Sequence, residues 1–275
     1  TKKPQKSKLS LIFPTEIIYD VWVSGSSKVG GRKLNFIRLY DCTSENKAKE
    51  MQTEFIANVS HELKTPISAI SGYCETLLGV GKDDDKVREK FLNILKNESS
   101  RMASLVNDLL SLTRIERIEH SPPDDAIEIV GLLKDSINVS NMSYPKSKKI
   151  KSCEFPQKKI MIIGDYNELK QVFINIIDNA IKYGAGSKLP EVKLLNNKDN
   201  VKIIVRDFGH GIEAQNIPML TNRFYRVDAS RSRDLGSTGL GLSIVKHILN
   251  RHKAELEIKS KVNEGSSFIV NLKKL

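Results

Sequence analysis

Two long runs of apolar residues, each stepping by threes and fours and separated by a short break, constrain this chain more than any other feature. In the first run Ile56, Val59, Leu63, Ile67, Ile70, Cys74 and Leu77 keep an average step near the ~3.5 residues of a helical seam. Gly79 and Gly81 break the run, and Asp83, Asp84 and Asp85 offer caps for a second helix. Val87, Phe91, Ile94, Glu98, Met102, Leu105, Leu109 and Leu112 then repeat the spacing. Two long helices over a short loop make an antiparallel hairpin. One hairpin leaves a wide apolar stripe in water, and pairing two of them into a four-helix bundle hides it, so a homodimer is expected.

The flanks read differently. Before the hairpin, the β-like runs 16–23 and 34–40 are joined by the turn-rich Ser24-Gly-Ser-Ser-Lys-Val-Gly-Gly31, which predicts a β-hairpin. A piece of that size cannot bury a substantial core, so residues 1–44 are expected to be the end of a sheet domain. Residues 45–120 form the helical domain, and Ser121-Pro-Pro-Asp-Asp125 ends its second helix. In 121–275, strands are expected over 160–163, 191–195, 201–207, 254–259 and 267–272. Helices are expected over 129–141, 165–183 and 240–251. That mixture is an α+β layer, one sheet covered by helices.

Bulk properties exclude more than they select. Of the 275 residues, 39% are hydrophobic and 28% charged, as in ordinary folded domains. No run of about 18 or more apolar residues is present, so no spanning helix is expected. No secretory leader is recognisable, and the start at Thr1 reads as an excised or processed chain. Cys42, Cys74 and Cys153 lie far apart with no CxxC pair or metal-ligand spacing, which suits a reduced, cytoplasmic compartment. The net charge of +11 is spread along the chain, and no nucleic-acid motif accompanies it. It is read mostly as solvated surface, with no nucleic-acid partner.

Four segments carry chemistry. In Phe55-Ile-Ala-Asn-Val-Ser-His61-Glu62-Leu-Lys-Thr65-Pro66, His61 falls off the apolar seam between Val59 and Leu63 and should face solvent. A solvent-facing imidazole is largely neutral at cellular pH, and its ring nitrogen is a competent nucleophile toward phosphorus. Glu62 can accept the other ring N–H and steady the cation that develops. Pro66 cannot donate to the Glu62 carbonyl, so the helix is weakened beside the acceptor. In Asn175-Ile-Ile-Asp-Asn179-Ala-Ile-Lys182-Tyr183 two carboxamides share one helix face, and a hard cation such as Mg²⁺ accepts amide oxygens. Asp207-Phe-Gly209-His-Gly211 follows an apolar strand and brings a carboxylate and bare backbone toward a flat ligand. Gly236-Ser-Thr238-Gly239-Leu240-Gly241 opens a helix whose unpaired N–H groups suit phosphates, with no Walker-type GxxxxGK[ST] anywhere. Each segment alone also has a plain reading: a surface histidine, helix-surface amides, a β-turn, a helix start.

Taken in order, these segments resemble the H-, N-, G1 and G2 boxes of the sensor histidine kinases of two-component systems, phosphate-regulon-sensor-like in arrangement. Ser237 stands where the family often has glycine. The resemblance implies a Bergerat-type α/β sandwich ATP-binding domain after the helical hairpin. Residues 1–44 resemble the exit of a PAS sensor domain through Tyr40-Asp-Cys-Thr43. The family likeness implies ATP and Mg²⁺ as cofactors, autophosphorylation on His61 supported by Glu62, and phosphotransfer to a response-regulator receiver domain. Thr65 would orient water in a phosphatase reaction. Asn179 would hold the metal, with Asn175, Lys182 and Tyr183 near the phosphates and Asp207, Gly209 and Gly211 at the adenine. Thr238, Gly239, Leu240 and Gly241 would wrap the phosphates. Phe224-Tyr225 resembles the family's F-box, ahead of a basic lid in which Arg226 would neutralise γ-phosphate charge. Membrane contact would come only through an anchor upstream in the full-length protein, in the inner membrane. Two rivals stay open: another ATPase of the same nucleotide fold, and a dimeric scaffold without chemistry.

Overall fold

The structure is a computed structural model that describes residues 5–12, 15–24, 27–29, 32–79, 84–145, 149–150, 152–184, 188–228 and 236–275. It divides into two compact units, Thr1–Ala69 and Ile70–Leu275.

The first unit is a small antiparallel sheet running into a helix. Strands β1 (Gln5–Leu11), β2 (Ile17–Val23) and β5 (Ile37–Asp41) pair in the order β1-β2-β5. The short strands β3 (Ser27–Val29) and β4 (Arg32–Leu34) pair with each other in the connection between β2 and β5. The expected hairpin is therefore the β2–β5 pair, with Tyr19 opposite Asp41 and Val23 opposite Ile37. Strand β1 was not expected: its alternating Lys-Ser-Lys-Leu-Ser-Leu carries too little apolar weight to stand out. All of β1 and β5 is exposed, and Cys42 at the exit is buried. The Cys42 thiol donates to the Ile18 carbonyl at 3.3 Å, and the Asn46 amide donates to the Cys42 carbonyl at 2.7 Å. Those bonds fasten the start of helix α1 (Thr43–Leu78) to the sheet.

Helix α1 runs through Pro66 as uninterrupted α-helix, so the expected weakening leaves no break in its assignment. Helix α2 (Asp85–Ile118) begins where Asp84 accepts the Lys86 and Val87 N–H groups, one of the expected caps. Gly81 and Asp83 lie outside the described residues. Near the loop the rings of Tyr73 and Phe91 meet at 5.0 Å between centroids. The two seams differ in cover: Ile56 and Ile67 are 57% and 50% exposed, whereas Leu105, Leu112 and Ile115 are buried.

In the second unit a five-stranded sheet takes the order β11-β12-β10-β9-β7, from β7 (Ser152–Glu154), β9 (Glu191–Asn196), β10 (Asn200–Arg206), β11 (Glu255–Lys261) and β12 (Gly265–Lys273). All its pairings are antiparallel except β7 with β9. A second small sheet pairs β6 (Ala126–Glu128) with β8 (Met161–Ile163). Helices α3 (Ile129–Met142), α4 (Tyr166–Tyr183) and α5 (Gly241–Arg251) pack with α4 between α3 and α5. The strands and helices expected over 121–275 all form, most with ends shifted by one or two residues. Strands β6 and β7 were too short to carry a period. Val201, Ile203 and Val205 alternate into the core from β10. They lie in the same core as Leu169, Val172, Phe173, Ile176 and Ile177 of α4, all at 0% exposure. Each such side chain contributes about 1.5–3 kcal/mol by leaving water.

The ends of α4 and α5 are tied by polar bonds. Asp165 caps α4 through Asn167 and Glu168. Its own N–H donates to His252 Nε2 at 3.0 Å, just beyond α5. Burial lowers the His252 pKa, which keeps that nitrogen an acceptor.

Candidate functional site

A cavity of about 380 Å³ opens in the second unit between α4, the end of β10, the segment before α5, and α2. That volume lies in the range of small-molecule sites.

Asp207 sits at its floor because β10 and β12 hold it there. Its N–H donates to the Ser266 carbonyl, and its Oδ1 accepts from the N–H groups of Gly209 at 2.9 Å and Ser266 at 3.2 Å. Only 4% exposed, its carboxyl is pushed up by burial, against which those bonds work. Gly211 lines the cavity in the left-handed region at φ 68, and a Cβ there would fall against the Lys261 carbonyl.

Helix α4 presents Asn175, Asp178, Asn179, Lys182 and Tyr183 to the same cavity. The Asn175 amide donates to the Gly241 carbonyl at 3.3 Å, and the Tyr183 hydroxyl donates to Ser237 Oγ at 3.0 Å. Burial raises the Asp178 carboxyl, opposed by the Ser140 hydroxyl and the Lys182 charge, and its buried Oδ1 has no hydrogen-bond partner among the described residues.

Ser237, Thr238, Gly239 and Gly241 complete the rim. Leu240 differs from expectation: its side chain is fully buried in the core, and its backbone N–H donates to Thr238 Oγ1 at 3.2 Å. Among the described residues no side chain caps the start of α5, so its first N–H groups are not taken by a capping side chain. Phe224 takes φ 61 and donates its N–H to the Gly239 carbonyl at 2.9 Å, holding the aromatic pair against the glycine-rich loop. Arg226 lines the cavity. The basic lid over Arg231 and Arg233 lies outside the described residues.

Sequence reading missed Ser104 and Asp108, which reach the cavity from α2, and Ser266 of β12. Nothing in the α2 period marks Asp108, which lies one position before a seam leucine. Ser266 shows only as a polar residue in an apolar strand. His210, given no role, also lines the cavity.

In the first unit His61 is exposed on α1 and Glu62 beside it is half-buried. The Thr65 hydroxyl donates to the His61 carbonyl at 3.2 Å.

Comparison with known proteins adds to this geometry. The family described as His Kinase A (phospho-acceptor) domain matches residues 51–118. The family described as histidine kinase-, DNA gyrase B-, and HSP90-like ATPase matches residues 164–275. The phosphate regulon sensor protein PhoR of Pseudomonas aeruginosa is 35% identical over 239 residues, 86% of this chain and 54% of that protein. The chain thus spans about half the length of this relative. Among solved structures, histidine kinase ThkA in complex with response regulator protein TrrA matches with a TM-score of 0.63 at 21% identity, over 99% of this chain and 79% of that one. Full-length ShkA in complex with AMPPNP matches with a TM-score of 0.56 at 21% identity, over 80% of this chain and 46% of that one. At those identities the structural matches establish the fold.

Proposed function

The chain belongs to the sensor histidine kinases of two-component systems, and from that premise we propose that it moves the γ-phosphoryl group of ATP to His61 and then to an aspartate of a response-regulator receiver domain. The observation that carries this reading is the exposed imidazole of His61, inside the stretch matched by the phospho-acceptor family. An attack on phosphorus needs an unobstructed ring nitrogen, and transfer to a second protein needs the product in reach.

Asp207 is the adenine-selecting acceptor: Oδ1 accepts from backbone N–H groups, and Oδ2 is assigned to the exocyclic amine. Asn175, Lys182, Tyr183, Thr238 and the Gly239–Gly241 backbone receive the phosphates, and Arg226 offsets charge on the γ-phosphate. Leu240 serves through its backbone and through packing. Mg²⁺ fits the oxygens present, the Asn179 carboxamide and the Asp178 Oδ1 that has no partner among the described residues both being hard oxygen ligands. Bound there, the ion would neutralise β- and γ-phosphate charge. A His61 ring nitrogen forms the N–P bond as the bond from phosphorus to the β–γ bridging oxygen breaks, and ADP leaves with that oxygen. Glu62 supports the imidazolium until its proton is lost. In the second step the N–P bond breaks as the partner's carboxylate takes the phosphoryl group. The Thr65 hydroxyl, donating to the His61 carbonyl, keeps lone pairs with which to orient water in a phosphatase reaction.

The exposed Ile56 and Ile67 support a homodimer through α1. Among the described residues no helix is long and apolar enough to cross a membrane. We assign this segment to the cytoplasmic side. The sheet of residues 5–41 is assigned to the end of a PAS-like domain, residues 45–120 to phosphotransfer and 121–275 to catalysis.

Incubation with γ-labelled ATP tests the reading. Acid-labile, base-stable label on the chain is expected, and His61→Gln should abolish it while nucleotide binding persists. Label retained in His61→Gln refutes the assignment, and release of free phosphate alone points to an ATPase of the same fold.

A further inference from the structure

A carboxylate inside an anion-binding cavity needs a reason, because it repels the ligand the cavity serves. Asp108 is such a group. It lines the cavity from α2, and its Oδ2 accepts from the Thr238 hydroxyl at 2.7 Å. Burial pushes its carboxyl up, while the Thr238 bond and the Lys182 charge pull the other way. Thr238 and Lys182 are two of the donors expected to hold phosphates. One α2 carboxylate engages the first by a hydrogen bond and the second by its charge.

The contact does not stand alone. Further along α2, Glu116 pairs with Arg223, and just past the end of the helix Glu119 Oε2 meets His247 Nδ1 at 2.7 Å. The Ser121 carbonyl accepts from Arg251 Nε at 2.8 Å. Leu105, Leu112 and Ile115 are buried on the same half of the helix, which packs on α5. That half of α2 is therefore docked on the nucleotide-binding layer, and Asp108 is the charged group that the docking brings into the cavity, beside Ser104.

Resting on the nucleotide-site reading above, we propose that Asp108 is an internal counter-anion: it takes the place of a phosphate on Thr238 and Lys182 until the nucleotide displaces it. Nucleotide occupancy and α2 docking are then opposed states of one equilibrium. Whatever loosens this half of α2 tightens nucleotide binding by the same factor, and nucleotide loosens the docking in return.

The test titrates the full chain with a fluorescent ATP analogue in excess Mg²⁺. Asp108→Asn keeps the side-chain shape and an acceptor for Thr238 but removes the charge, and it should bind the analogue about fivefold more tightly or better. Unchanged or weaker binding overturns the proposal, since a purely structural role would lower the melting temperature and the affinity together. If Asp108→Asn does not fold, hydrogen exchange on the unmodified chain decides. Saturating analogue should speed exchange of the α2 amides from Leu105 to Leu112, and unchanged or slower exchange there overturns the displacement. An unmodified chain that does not bind the analogue at all refutes the nucleotide-site reading itself, whereas binding without a gain in Asp108→Asn refutes only the counter-anion.

Discussion

His61 and Asp207 occupy opposite surroundings. The imidazole stands exposed on α1, where even apolar neighbours such as Ile56 and Ile67 are about half exposed. The carboxylate is 4% exposed between two strands, with backbone N–H groups on one oxygen. On the proposed function, the difference follows from what each group would have to do. A nucleophile that meets two partners in turn is obstructed by anything packed over it. A group that selects one base by hydrogen bonding gains from burial, because a wrong ligand then leaves a dry, unpaired acceptor. The acceptor helix should therefore tolerate substitution around its reactive residue, and the nucleotide layer should not.

Backbone substitutions give the largest contrast. Gly265 takes φ 98, and a Cβ there would fall against the Asp207 carbonyl, whereas a Cβ at Gly72 of α1 meets nothing within 4 Å. Gly265→Ala should cost roughly 3 kcal/mol of stability. Gly72→Ala should be neutral or stabilising by up to about 1 kcal/mol. Denaturant unfolding measures both, and similar losses at the two positions would break the comparison.

Asp207→Asn comes next. The amide oxygen can still accept from Gly209 and Ser266, but the second acceptor becomes a donor, which on the proposed function would face the adenine amine. Nucleotide affinity should fall about 30- to 100-fold, some 2–3 kcal/mol, with the melting temperature nearly unchanged. In the unmodified chain the raised Asp207 carboxyl should weaken nucleotide binding on acidification earlier than a carboxyl at its ordinary 3.8 would. Calorimetric titration from neutral to acidic pH checks both statements.

The smallest effect lies at the domain edge. Burial pushes the Glu119 carboxyl up, but its bonds with His247 and Asn250 prevail and hold it below the ordinary 4.5. A depressed carboxyl contributes stability above 4.5 and loses it as pH falls through its folded value. Glu119→Gln should therefore cost about 1 kcal/mol or less at neutral pH, less still in high salt, and nothing at strongly acidic pH. Thermal unfolding across pH reads it out, and a deficit independent of pH would show that charge is not the cause.

Legibility in the sequence followed burial and period. Strand β10 was readable because Val201, Ile203 and Val205 alternate into a core, and α4 because its apolar face repeats. Strand β1 was not: it is as exposed as β5, but its Gln-Lys-Ser-Lys-Leu-Ser-Leu carries too little apolar weight to stand out. The site boxes were legible as local strings around Asn179, Asp207 and Gly239. Leu240 was grouped with them by adjacency, yet its side chain belongs to the core.

The order of chemistry-bearing segments, the helical seams and the off-seam position of His61 were decided by the chain alone, because each depends on residues within a few turns of one another. The tertiary structure alone decided that Asp207 is held from β12 by Ser266, that α2 covers its apolar seam at one end by packing on α5, and that Asp108 reaches Thr238 across 130 residues of sequence. Those contacts join segments whose separation carries no period, and only the closing of the sheet and helices around a common core brings them within bonding distance.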